Sequence, residues 1–169
     1  MLRKDYLGIS KQFIFVFFIS VSVLLIACDN GSETPKVADV KLIVPILTDA
    51  NIKQFTVKMA EDYNANLGSL MAGFKAAKKA GNEYQFVNFR NHTWTPNYIE
   101  QKDYYQKVLE NNASYLAHSP SEPLFELFES LIYTGITLKN VLLEHDDAKL
   151  QAQLSAIEND KKIVNSIVK

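Results

Sequence analysis

Residues 124–143 read LFELFESLIYTGITLKNVLL, and the way this run folds decides what the rest of the chain must do. Its apolar residues, Leu124, Phe125, Leu127, Phe128, Leu131, Ile132, Ile136, Leu138, Val141, Leu142 and Leu143, recur at helical spacings and cover more than one face. A helix that is apolar over most of its circumference is buried between neighbours. The spacing therefore predicts a central helix with others packed around it. Ser121 stands where a cap is wanted. Pro123 falls in the first turn, where a missing N–H costs nothing.

On the C-terminal side, Asp146 or Asp147 starts a further helix, with Leu150, Leu154, Ile157, Val164 and Val168 in a narrower stripe that Lys161 interrupts. On the N-terminal side, Thr95-Pro96 predicts a cap and a first-turn proline. Tyr98, Ile99, Lys102, Tyr105, Val108, Leu109, Asn112, Ala113 and Leu116 carry that helix to a stop before Pro120. Earlier still, a helix beginning near Thr48 or Asp49 is marked by Ile52, Phe55, Met59, Tyr63, Leu67, Leu70, Phe74 and Ala77, three or four apart. Gly81 suits its left-handed cap. Gly68 and Gly73 inside it predict a neighbour's close approach or a local bend. Residues 82–95 carry Tyr84, Phe86, Val87, Phe89 and Trp94 at spacings that fit neither period, and read as an irregular connection with room for a short helix. The expected fold is all-α, an up-and-down bundle of four helices over residues 48–169.

Ahead of that domain, Arg3, Lys4 and Lys11 give a basic start, and residues 13–27 are apolar apart from Ser20 and Ser22. This is the layout of a secretory signal. A helix of that length would reach about 22 Å, short of the roughly 30 Å hydrocarbon core of a bilayer. The run ends in Leu25-Ile26-Ala27-Cys28. Those four residues fill the places of a lipobox, and at this point the sequence resembles bacterial lipoproteins. The resemblance implies cleavage before Cys28, with 1–27 the signal peptide, diacylglycerol on the Cys28 sulfur, and acylation of the new amino group. Two or more acyl chains anchor a protein stably where one holds only marginally. Asp29 resembles an inner-membrane retention signal of enteric bacteria, a rule that varies between bacteria, so the leaflet stays open. Residues 28–47 then form the lipidated Cys, a polar tether reading DNGSETPK over 29–36, and an apolar lead-in over 37–47 that should lie extended against the core.

Composition narrows the function classes. The chain holds 18 Lys+Arg against 19 Asp+Glu. Removing the three basic residues and the one acidic residue of the signal takes the net charge from −1 to −3, which does not suit nucleic acid. Cys28 is the only cysteine; once acylated it leaves no thiol for a disulfide or a metal. His92, His118 and His145 fall on separate connections or helix ends, without the i,i+4 spacing that sets two imidazoles on one helix face. No Glu-x-x-His pair marks a di-metal bundle. There is no Gly-rich phosphate loop, Gly-x-Ser-x-Gly elbow or Cys/His nucleophile arrangement. Neither a cofactor nor an enzymatic activity is expected.

What remains is surface. The rings of Tyr84, Phe86, Phe89, Trp94 and Tyr98 are candidate binding residues, because Tyr and Trp are enriched where proteins bind each other. The plainer reading is that they close one end of the bundle, and exposure of Trp94 decides between the two. The leading expectation is an exported, lipid-anchored helical domain at the membrane that binds a cell-envelope protein. By size and class it is similar to secretion pilotins and to immunity proteins that block toxins. The alternatives are a carrier of a small apolar ligand in the bundle interior, which requires a cavity lined by the central helix, and an enzyme acting on the cell wall.

Overall fold

Thr48 opens the described fold: its carbonyl accepts from the amides of Asn51 and Ile52 at 3.0 and 2.9 Å, which winds the chain into its first helix. The computed structural model describes residues 43–169. The signal segment 1–27, Cys28, the tether and positions 37–42 lie outside the described residues. Helix α1 spans Ile52–Ala80, 29 residues, and so is about 44 Å long. The face read from the sequence is the face it buries: Met59, Tyr63, Leu67, Leu70, Phe74 and Ala77 are all in the core. Gly81 ends it in the left-handed conformation at φ 62°, which L side chains adopt only with strain.

The chain then turns at once. Asn82 accepts from the amide of Gln85 at 3.2 Å and starts helix α2, Glu83–Phe89. A π-helical turn, Arg90–Trp94, leads directly into helix α3, Thr95–Asn111. The expected irregular connection over 82–95 is therefore helical throughout after Asn82, and Thr95 is an interior residue, not a cap. Pro96 supplies the reason. A proline inside an α-helix has no N–H to give and its ring strikes the carbonyl four residues back. The widened turn relieves that crowding, and the amide of Thr95 reaches five residues back to Arg90.

After α3 the chain breaks at Asn112, makes the short helix α4, Ala113–Leu116, and enters the central helix α5, Glu122–Glu144. Asn112, expected as one more position on a continuous helix, is instead a buried clamp. Its Oδ1 accepts from the amide of Leu47 at 2.7 Å, and its Nδ2 donates to the carbonyls of Pro45 and Val108 at 3.0 and 2.8 Å. The described part of the lead-in, residues 43–47, is neither helix nor strand, and Leu47 is in the core. Ser121 stands at the start of α5 but caps nothing: its hydroxyl bonds that of Thr56 on α1 at 2.7 Å. Helix α6, Asp147–Ile167, is capped by Asp146, which accepts from the amide of Lys149 at 2.9 Å.

The fold is all-α, with no strand among the described residues. Helix α5 packs against α1, α2, α3 and α6, the central place its apolar circumference demands. No helix of the described residues is long and apolar enough to cross a membrane. The two glycines of α1 differ in role. A Cβ on Gly73 would run into the ring of Phe89, whereas nothing lies near one on Gly68. Gly68→Ala should therefore stabilise by about 0.5–1 kcal/mol through helix propensity, and Gly73→Ala should destabilise by about 1–3 kcal/mol through overpacking. Urea midpoints moving in the same direction for both would contradict this.

Candidate docking groove

The aromatic group read as a candidate surface has to be placed first. Phe86, Trp94 and Tyr98 are buried, with Trp94 only 3% exposed, Phe89 is half-buried, and Tyr84 alone stands out at 75%. The π turn explains this. It adds one residue to the winding, so Phe86 and Trp94, eight positions apart, fall in line as residues seven apart would in an α-helix. The rings therefore do not offer a partner surface, which corrects the candidate binding set except at Tyr84. Nor do Trp94 and Tyr98 merely close one end, because they belong to a stack that runs through the core. Trp94 stacks on Tyr98 at 4.8 Å between centroids, Tyr98 on Phe128 at 5.9 Å, and Phe128 meets Tyr105 at 4.7 Å. Phe55 and Phe125 extend it.

Each polar handle in the stack has a partner, as burial requires. The indole of Trp94 donates to the carbonyl of Asn66 at 2.9 Å. The hydroxyl of Tyr98 is shared between the carbonyls of Phe128 and Glu129 at 3.0 and 2.8 Å, and that of Tyr105 donates to Asp62 Oδ2 at 2.6 Å. Asp62 also pairs with Lys58. Burial pushes the hydroxyls of Tyr63, Tyr98 and Tyr105 well above the ordinary tyrosine range, and at Tyr105 the bond to Asp62 adds to the effect. They remain neutral donors near pH 7 and supply neither a base nor a nucleophile. Beside the π turn, Arg90 Nε and Thr95 Oγ1 are buried without a partner. Burial against α5 lowers the Arg90 pKa.

The interior is filled. The void against α5, between Tyr105, Leu109, Phe125 and Phe128, measures about 30 Å³, room for about one water. A carrier site in the bundle interior needs several hundred cubic ångströms, far more than this void supplies. His92, His118 and His145 are all exposed and far apart in the chain, and no group of three His, Cys, Asp or Glu among the described residues could hold a metal.

Open space lies between helices instead. Helix α6 packs chiefly on α5 and leaves a groove against α1 of about 710 Å³. Leu67, Met71, Leu154 and Ile157 give it an apolar floor, with Lys75 and Lys161 at its edges. Gly68, with open space where a side chain would stand, keeps the α1 wall low. The sequence carried a signal of this opening, the narrow stripe of α6 and its interruption at Lys161, which sits on the groove. A second cleft of about 470 Å³ opens where α1 starts and the chain ends, between Ile52, Thr56, Tyr115, His118, Ile167 and Val168. There the Tyr115 hydroxyl donates to Asp49 at 2.7 Å, a bond that raises the Tyr115 pKa. No protein-family model, curated protein or solved structure matches the chain.

Proposed function

We propose that the chain is an exported lipoprotein, held at a membrane by acyl chains on Cys28, whose helical domain binds a cell-envelope protein in the groove between α1 and α6. The lipobox residues Leu25-Ile26-Ala27-Cys28 support the anchor. The binding reading rests on one observation: the half-buried Met71 and Leu154 face an open groove between two helices, over a floor formed by the core residues Leu67 and Ile157. Grooves of this kind take the apolar face of an amphipathic helix.

Two measurements test the two halves. Blocking lipoprotein signal peptidase with globomycin should accumulate a longer precursor; an unchanged size would refute the anchor. A photo-reactive residue in place of Met71 should give one discrete adduct in cells, and one in place of the exposed Tyr133 on α5 should not. Leu154→Lys should weaken that complex by roughly 30-fold, the effect of losing one hot-spot side chain of about 2 kcal/mol. An adduct indifferent to Leu154→Lys would place the partner elsewhere.

A further inference from the structure

The two most exposed large apolar side chains of the described residues, Ile43 at 86% and Ile46 at 79%, lie on the same short segment. From Pro45 to Thr48 that segment is tied down by hydrogen bonds. The amide of Leu47 goes to Asn112 and that of Thr48 to Asn51, at 2.7 and 2.8 Å. The carbonyls of Pro45 and Ile46 accept from the same two asparagines at 3.0 and 2.9 Å. Leu47 points into the core and Val44 packs against it, so the fold turns both isoleucines outward.

We propose that Ile43 and Ile46 are a lipid contact, by which this end of the domain rests on the bilayer surface that holds the acyl chains of Cys28; the inference rests on the anchoring read above. Two features favour lipid over a protein partner. Two isoleucines without a polar handle differ from a protein hot spot, which favours Trp, Tyr and Arg. Lipid is also the apolar phase nearest along the chain: Cys28 lies fifteen positions before Ile43, a step of about 50 Å at full stretch.

The test uses the full chain, processed in cells and reconstituted into phosphatidylcholine vesicles. Acylation of Cys28 leaves an introduced cysteine as the sole thiol. Nitroxide labels are attached after Ile43→Cys, Ile46→Cys or, as the control at the α1–α2 turn, Tyr84→Cys. All three side chains are exposed, so the fold should survive, and circular dichroism checks it. Labels at 43 and 46 should collide preferentially with oxygen, and the label at 84 with an aqueous nickel chelate. Nickel access at 43 and 46 equal to that at 84 would overturn the lipid contact. Shielding from both reagents would also overturn it, by showing a protein or a second copy on the segment. Mass spectrometry of the same sample reads Cys28 separately: an unmodified thiol removes the anchor and this inference with it, whereas acylated Cys28 with aqueous labels removes only the inference.

Discussion

Phe128→Ala should destabilise the domain by about 3–5 kcal/mol, the cost of truncating a buried phenylalanine and leaving a cavity behind. Phe128 is 1% exposed and touches the rings of both Tyr98 and Tyr105. The size of the penalty depends on whether neighbours can collapse into the space. Here they are tied back: Tyr98 by its hydroxyl to the α5 backbone, and Tyr105 by its hydroxyl to Asp62 on α1. Poor relaxation puts the loss in the upper part of the range. For a domain of this size that corresponds to a fall in Tm of roughly 10–20 °C, read by thermal unfolding followed at 222 nm. A fall below about 5 °C would mean that the stack is not what holds α3 to α5.

Asn112→Ala should cost about 2–4 kcal/mol, because it strips partners from the buried amide of Leu47 and the carbonyl of Pro45, and unmade buried hydrogen bonds carry their full desolvation penalty. The carbonyl of Val108 fares better, since the backbone amide of residue 112 also bonds it at 3.1 Å. A second effect distinguishes this variant from an ordinary core truncation. Leu47, 4% exposed, loses its anchor, so chymotrypsin should cleave after it while the helices still resist. Asn112→Asp should do no better than alanine: it keeps the acceptor for Leu47 but sets a carboxylate against two carbonyls. Unchanged protease resistance at Leu47 in Asn112→Ala would show that packing alone holds the segment.

Long periodic faces were readable before any coordinates, because a continuous helix converts spacing directly into burial. Six of the eight α1 positions that the spacing selects are buried, with Ile52 and Phe55 half-buried beside them, and α5 is central for the reason its apolar circumference gives. Features set by distant neighbours were not readable. Asn112 looks like any helical position until the lead-in reaches it from 65 residues away, and Ser121 looks like a cap until its hydroxyl finds Thr56. The sequence leaves the rings between 82 and 98 open between surface and interior, because their burial depends on helical phase, and the π turn shifts that phase by one residue. The groove was half visible: Lys161 interrupts the α6 stripe between the buried Ile157 and Val164, but only the packing of α6 on α5 turns that interruption into an opening.

The π turn also makes two positions depend on each other. An α-helix with one residue more than it needs, followed by a proline that an ordinary turn would not tolerate, is a matched pair, each making the other bearable. Losing the surplus residue alone would leave Pro96 jammed against the carbonyl behind it, and losing the proline alone would leave a wide turn with nothing to relieve. Among relatives of this chain, a one-residue gap between Phe89 and Thr95 should travel with a replacement at Pro96, and Trp94 should keep its place opposite Gly135 in either version.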